Sequence, residues 1–599
     1  MHTRWGISGL WLGLAATWGC ARTAPDWPTP TGGSPNEGSG GELITGSGGA
    51  LGEIHQTGGE ACISPNDISI TNLLGDPELR HAAPPAELPV YVFSQSGPDY
   101  IDRQLIEVGP ALSLRTTGQW GTEGTRVEGY DMASIQELKA LGTRVILGLT
   151  ASVVFEEQFA SQAEFLEVVS RDVTNQPVPH EEIVPDAYRG NLAHPKFRDL
   201  VVKNAQVLVD VGADGIFFDE ANAGYSGAKF DGNEGFDDYH QADFRNYLCS
   251  KHADWTPASF MTMFSVPSES TLDCASPNCV GTGFSVRDYL PNAGLILKDA
   301  WEMPLFLEWG TTVGNRIATA PSAFLQTSEI AYWADIVRRV RKYARDTYQR
   351  EILITSNGLF PFVDFQSIGL YPWNADAPSG SPNDYVKYVP TTADGRLDGS
   401  VSLLDTFERL RVHSHALAGD APVVLFIDWP TDMMSDYYAF SEQEKRDYFR
   451  IYGAEAYAAG LRFAWHLKTS MPNDPTATES NMLDWFTTEA DFYRAHANLY
   501  VGAEPLTVET STTAPNVLIR TTTLTDGRFA VHLINHAYED GLVEQKNFSV
   551  SLETNFEEFT GTKFSPDTAE EVEILLGASA DRATIQVPSL KSYAVVVLH

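Results

Sequence analysis

From residue 86 onward the chain alternates short, almost unbroken apolar runs with longer stretches whose apolar positions recur every three or four residues. Eight of the short runs read as strands: LPVYVFS (88–94), ALSLRTT (111–117), TRVILGLT (143–150), ADGIFFDE (213–220), ILITSNG (352–358), FQSIGLYP (365–372), PVVLFIDW (422–429) and LRFAWHLK (461–468). Amphipathic helical patterns separate most of them, among them DMASIQELKALG, HPKFRDLVVKNAQVLVDVG, SEIAYWADIVRRVRKYARD, LLDTFERLRVHSHAL and SEQEKRDYFRIYGAEAYAAG. A strand that is apolar at nearly every position is buried on both faces, which is the condition of a parallel sheet sheathed in helices. Eight strand–helix units in series predict an α/β fold of the (β/α)8 TIM-barrel kind over residues 86–503. A doubly wound open sheet is the second choice, and it calls for a glycine-rich first turn that the sequence lacks. Residues 223–326 interrupt the series as a long insertion after the fourth strand, where insertions in barrels build the substrate cleft.

Near residue 504 the period changes to two. VLIRTTT and RFAVHLIN flank Thr525-Asp526-Gly527, where Asp-Gly makes a tight hairpin turn, and Phe529, Val531 and Leu533 fall on one face. NFSVSLE, EVEILL, ATIQVP and YAVVVLH continue the pattern, so residues 504–599 are expected to form a C-terminal antiparallel β-sandwich.

The N-terminal region is different. Residues 1–20, MHTRWGISGLWLGLAATWGC, set a short basic start before an apolar run and then Gly19-Cys20, the layout of a secretory signal. A cysteine directly after a small residue resembles a bacterial lipoprotein signal, in which Cys20 would be lipidated, although Thr17 and Trp18 depart from the usual lipobox. Residues 21–85 begin with a Gly/Ser/Thr/Pro-rich stretch that buries too little apolar surface to fold and reads as a tether. The protein is therefore expected to be exported, and held at the cell surface or outer membrane through Cys20 or secreted.

Charge narrows the partners. With 41 Lys and Arg against 79 Asp and Glu, the formal net charge is −38, a surface that repels phosphate backbones and argues against nucleic acid. The chain has no Walker-type loop, no GxGxxG after a strand and no HExxH, so no cofactor is expected. Apart from Cys20, an even set remains: Cys62, Cys249, Cys274 and Cys279, enough for two disulfides in an exported protein. Cys274 and Cys279 flank the turn-rich ASPN and are expected to bridge locally. Zinc ligation by the three cysteines between 249 and 279 ranks second, because no CxxC spacing supports it.

Barrel active sites gather at the C-terminal ends of the strands, so the residue that ends each strand matters most. The fourth strand ends in Asp219-Glu220, the fifth in Thr355-Ser356-Asn357 and the sixth in Tyr371-Pro372-Trp373-Asn374. The seventh ends in Asp428-Trp429-Pro430 and the eighth in Trp465-His466. Acids among tryptophans suit a carbohydrate, whose C–H faces stack on aromatic rings and whose hydroxyls bond to carboxylates and amides. Cleaving a glycosidic bond takes two carboxyl groups, one protonated and one ionised, and neighbouring carboxylates push their pKa values apart. The expected function is an O-glycosyl hydrolase acting on an oligo- or polysaccharide with retention. Its rival is a surface carbohydrate-binding lipoprotein with the same aromatic cleft and no cleavage.

Strand alternation puts Phe217 and Asp219 on one face, Phe218 and Glu220 on the other. Asp219 is expected inward as nucleophile, with Glu220 at the rim as acid or as a substrate-binding group; past the strand end those roles swap. Asp428 and Glu308, the latter in the insertion's LFLEWG, are further candidates for the second carboxyl, with a solvated helix residue as the alternative for Glu308. Trp429, Trp373, Tyr371 and Trp465 are expected to bind the sugar with Asn357 and His466, although a core histidine is as good a reading of His466. FDGNEGFDD (230–238) looks like a calcium loop but lacks EF-hand spacing; an acidic N-cap to the next helix explains Asp237 and Asp238 more simply.

DGIFFDE, then FRNYL, LFLEWG, a long helix and ILITSNG resemble the barrel glycoside hydrolases related to bacterial β-galactosidases, with AEAYAAGLRFAWHL and the VHLIN strand adding to the likeness. Those enzymes end strand four with Asn-Glu, the Glu being acid/base, and strand seven with a nucleophilic Glu. On that resemblance Glu220 is the acid/base, and Asp428 stands where the nucleophile is expected. Dextranases and α-amylase-like enzymes instead end strand four with a nucleophilic Asp, which Asp219 matches. The chitinase-like DGxDxDxE pattern fails at its intermediate Asp.

Overall fold

The computed structural model describes residues 76, 78–79, 90–94, 111–115, 127–179, 187–219, 221, 235–266, 271–274, 284–287, 289, 304–309, 324–356, 360–370, 390–427, 439–466, 482–553, 560–574, 576–579 and 582–599. All of them belong to one compact unit, His55–His599. Residues 1–20, with Cys20, lie outside the described residues, as do nearly all of residues 21–85.

Eight parallel strands form the main sheet: β1 (Val90–Ser94), β2 (Ala111–Arg115), β3 (Arg144–Thr150), β6 (Gly215–Asp219), β7 (Leu353–Ser356), β8 (Gln366–Leu370), β9 (Val423–Ile427) and β10 (Arg462–His466). Each falls within one of the eight apolar runs, so the fold is α/β as the pattern predicts. Between β3 and β6 a short antiparallel pair, β4 (Val153–Phe155) and β5 (Ala187–Arg189), was not visible in the pattern. The helices are α1 (Met132–Ala140), α2 (Gln162–Val168), α3 (Pro195–Asp210), α4 (Asp238–Lys251), α5 (Pro257–Phe264), α6 (Pro304–Trp309), α7 (Phe324–Tyr348), α8 (Leu404–Ala418), α9 (Glu442–Ala458) and α10 (Met482–Ala495). Their ends follow local chemistry. Pro195 opens α3 where its missing N–H costs nothing, and Ser441 with Glu444 closes a reciprocal capping box at the start of α9.

The strand order is β7-β6-β3-β2-β1-β10-β9-β8. Alternate residues serve two cores. Val145, Leu147, Ile216, Phe218, Ile354, Leu425 and Phe463 pack outward under the helices. Tyr91, Ile146, Phe217, Phe365, Val424, Phe426 and Ala464 form a separate inner cluster. Phe217 of β6 and Phe426 of β9 have ring centroids 6.1 Å apart, yet their strands are five steps apart in the order. A flat sheet would separate them by about 24 Å, so the sheet curls until its inner face meets itself. Its two outermost strands meet as well. Asp364 N–H donates to Ile354 O at 2.8 Å, and Thr355 Oγ1 lies 2.7 Å from Ser367 Oγ. Arg341 of α7 grips Asp364 at 3.0 and 2.8 Å, and Asp364 Oδ2 accepts from Ile354 N–H at 2.6 Å.

The insertion carries its own core, in which Phe236, Phe244, Leu248, Phe260, Phe284, Leu305, Trp309 and Phe324 gather around α4, α5 and α6. Here one expectation is corrected: Cys274 is bonded to Cys249, not to Cys279. The Cys274 N–H donates to Trp255 O just beyond α4, which seats residue 274 beside the last turn of that helix with Cα atoms of the two cysteines 4.7 Å apart. Packing in the insertion core outweighs the local turn. The disulfide also removes two of the three thiols a zinc site there would need; Cys279 lies outside the described residues.

After α10 come β11 (Glu504–Leu506), β12 (Thr510–Thr512), β13 (Val517–Thr523), β14 (Phe529–Asn535), β15 (Gln545–Glu553), β16 (Gly561–Ser565), β17 (Thr568–Ile574), β18 (Leu576–Ser579), β19 (Arg582–Leu590) and β20 (Tyr593–Leu598). They make two antiparallel sheets, β11-β13-β14-β20-β16-β17 and β12-β15-β19-β18. The β13–β14 hairpin turns at Gly527, whose φ of 85° suits a residue without Cβ. Val531, Leu533, Val596 and Leu598 face Phe548, Val550, Ile585 and Val587 of the second sheet. The alternate residues, Ala530, Ile534, Tyr593, Val595 and Val597, join the helix-packed core instead. Glu455 of α9 strengthens that junction: it accepts from Ser402 Oγ at 2.5 Å and Leu403 N–H at 2.9 Å, and lies 3.2 Å from His536 Nε2.

Candidate functional site

Parallel strands bring all eight C-terminal ends to one edge of the sheet, and the inner face below that edge is a floor of rings and aliphatic groups. Tyr91 packs on Phe365 at 5.7 Å, and its burial pushes the phenol up to about 12 despite Arg462 and Arg144 nearby. Gly215 keeps this floor close-packed. A Cβ there would stand 2.5 Å from Ile146 Cδ1 and 2.8 Å from Leu353 Cβ.

Alternation along GIFFD delivers Asp219 to the same face. Phe217 reaches inward to Phe426, Phe218 reaches outward to Trp333 of α7 at 5.7 Å, and Asp219 follows Phe217 by two residues. Asp219 is 6 % exposed at the end of β6, with its carbonyl oxygen fixed by Ala151 N–H at 3.0 Å. Ser356, which ends β7, donates its hydroxyl to Ala221 O at 2.9 Å and so pins the chain just past the acid.

Thr150 is a site residue the sequence reading passed over. It ends β3 directly opposite Asp219 in the parallel register, and its buried Oγ1 has no hydrogen-bond partner among the described residues. The available signal was its place, last in TRVILGLT and in step with Ile146 and Gly148 on the inner face.

The other candidates divide in two. Glu308 lies in α6, where its carboxylate accepts from Lys251 Nζ at 2.5 Å and Tyr247 OH at 3.3 Å, with His252 Nε2 at 3.8 Å. Burial and this carboxylate drive the Tyr247 phenol well above its ordinary range. Glu308 thus ties α6 to α4 inside the insertion. Glu220, Asn357, Tyr371, Trp373, Asp428 and Trp429 lie outside the described residues. Trp465 and His466 occupy the end of β10, in register beside Val92 and Phe93 of β1, and their side chains lie outside the description. Among the described residues no group of His, Cys, Asp and Glu is arranged to hold a metal ion.

No family model matches the chain, and no curated protein sequence does. Similar solved structures include a noncanonic maltogenic alpha-amylase from Thermotoga neapolitana, 11% identical over 85% of this chain and 98% of that one, with a TM-score of 0.44. An alpha-amylase from Lactobacillus plantarum is 9% identical over 87% of this chain and 100% of its own, at a TM-score of 0.43. Alpha-L-fucosidase isoenzyme 2 from Paenibacillus thiaminolyticus is 9% identical over 85% and 99%, at 0.41. Values this low assign neither substrate nor reaction.

Proposed function

We propose that the parallel sheet closes as a (β/α)8 barrel backed by an antiparallel sandwich, and that the protein is an exported glycoside hydrolase of an oligo- or polysaccharide. The observation that carries this reading is Asp219, a carboxylate buried at the C-terminal end of β6 above an apolar, ring-rich floor. Burying a carboxyl is costly, and sites that bear the cost are enriched in catalytic acids and nucleophiles. In the proposed reaction the ionised Asp219 attacks the anomeric carbon while a protonated carboxyl, from Glu220 or Asp428, donates to the leaving oxygen. Water then hydrolyses the glycosyl-enzyme ester, with the second carboxyl now acting as base. The strand-end tryptophans and tyrosine hold the sugar, and export through residues 1–20 with a Cys20 tether brings the enzyme to extracellular glycans.

Product release from a panel of polysaccharides and nitrophenyl glycosides tests this, using the full chain beside Asp219→Asn, Glu220→Gln and Asp428→Asn. Asp219→Asn is expected to abolish release with an unchanged circular dichroism spectrum. The acid variant is expected to lose polysaccharide cleavage but to release a burst of nitrophenol from nitrophenyl glycosides, whose leaving group needs no proton, before slow turnover limited by the missing base. Full activity of Asp219→Asn removes the nucleophile assignment. A wild type that binds panel glycans and cleaves none is a carbohydrate-binding protein instead.

A further inference from the structure

The insertion is seated on the outer helices through a buried ionic cluster that the proposed hydrolysis does not use. Asp237 caps α4: its Oδ1 accepts from Tyr239 N–H and His240 N–H at 3.0 Å each, and its Oδ2 lies 2.6 Å from His240 Nδ1. Further along α4, Asp243 accepts a hydrogen bond from Tyr332 OH of α7. The Arg198 guanidinium of α3 lies 5.1 Å from the centre of the same Tyr332 ring and donates to Leu192 O and Ala193 O at 2.7 and 2.9 Å. Glu329, nearly one turn before Tyr332 on α7, is fully buried and acts on His240 through space. His240 itself is 1 % exposed, and its Nε2 has no hydrogen-bond partner among the described residues.

We infer that the proton on His240 Nε2 locks α4, and with it the insertion, onto α3 and α7, and that its loss loosens this seat. Nδ1–H stays on Asp237 in either state, so Nε2 is the atom that titrates. Once it is neutral, Asp237 keeps its hydrogen bonds but is a buried carboxylate whose nearest cation has gone, a condition that costs far more than an exposed charge. Asp237 and Asp243 act on the ring from α4 and its cap and Glu329 from α7, with the Tyr332 ring edge-on at 6.0 Å; on the α3 side Arg198 bears on Asp243, and His194 at the helix cap faces Asp237. His194 supplies no replacement charge, because burial holds its imidazole below the ordinary value.

Burial alone would lower His240, but the Asp237 charge and hydrogen bond, with Glu329 and Asp243, outweigh it and leave the imidazole above its usual value. A raised histidine adds stability that is complete below about pH 6.5 and is lost as pH rises through the folded value. Asp243 is also raised, by burial that Tyr332, His240 and Arg198 only partly offset, so it acts in the same direction. The seat is therefore firm in mild acid and slackens in mild alkali. This holds whether or not the protein cleaves sugars.

Hydrogen exchange of the full chain, followed by mass spectrometry near pH 5.5 and near pH 8 and corrected for intrinsic rates, tests the seat directly. Amides of α4 are expected to lose protection at the higher pH, while those of α9 do not change. His240→Gln should show weak protection at both pH values. Asp243→Asn keeps an acceptor for Tyr332 but removes one negative charge facing His240, so the loosening should move to lower pH. Equal protection of α4 at both pH values in the wild type overturns the inference. So does a pH response as large in His240→Gln as in the wild type, or one that moves upward in Asp243→Asn.

Discussion

The meeting of β7 and β8 gives a quantitative prediction. Arg341 and Asp364 are 1 % and 4 % exposed and joined by two contacts of 3.0 and 2.8 Å, and Asp364 also takes the Ile354 N–H at 2.6 Å. Asp364→Asn would leave the guanidinium buried beside a neutral amide, and Arg341→Met would leave a buried carboxylate with less to hold its charge. Breaking a buried pair from one side costs about 3–5 kcal/mol, so the two single changes sum to about 6–10 kcal/mol. The double variant buries no charge, and its Asn oxygen still accepts from Ile354 N–H, so it is expected to lose only about 1–2 kcal/mol. The coupling is then at least about 4 kcal/mol, far outside the roughly 0.5 kcal/mol scatter of independent sites. Urea unfolding followed by tryptophan fluorescence and far-ultraviolet circular dichroism measures all four proteins, and coincident transitions license the free energies. Additive losses, or an Asp364→Asn cost below about 1 kcal/mol, would refute the idea that this pair clamps the two strands.

Two further predictions concern the periphery. Peptide mapping without reduction should recover Cys249 joined to Cys274, and Cys249→Ser should cost about 3.5 kcal/mol from the chain entropy of a loop with a sequence separation of 25; a Cys274–Cys279 peptide would sink this. Burial, with Arg520 nearby, pushes His532 down to about 3 where it sits between Thr522 Oγ1 and Tyr593 OH. A depressed histidine gives stability present above about pH 6.5 and lost in acid by about 1.4 kcal/mol per pH unit until the folded value is reached. Calorimetric melting across that range should show a shallower acid slope in His532→Gln than in the wild type, and identical slopes would count against it.

Much of the architecture was legible because burial on both faces leaves a plain mark: eight apolar runs, each holding one strand of the main sheet. The parity of Phe217, Phe218 and Asp219 was equally readable, since a strand has only two faces, and Asp237 does cap α4 as its acid-before-helix pattern implied. What escaped depends on partners distant in sequence. Asp364 and Arg341 are 23 residues apart and look like ordinary surface charges until the strands meet. Thr150 gained interest only when the register set it beside Asp219. Cys274 was assigned to its near neighbour because a turn is visible in sequence and an insertion core is not. Asp237 was read as a cap alone, since nothing local places Tyr332 or Glu329 near His240.

The run YAVVVL is apolar at every position because β20 is covered on both sides, by the second antiparallel sheet and by the helices of the parallel one. The two regions therefore share ownership of a wall. A recombination event that spliced the chain near residue 503 would hand the recipient a piece with Ala530, Ile534, Tyr593, Val595 and Val597 bare, and would strip α9 of its cover in the donor. Such halves are poor currency for gene shuffling. Descendants of this chain are expected to inherit both regions together, with substitutions in α9 matched by substitutions in β14 and β20.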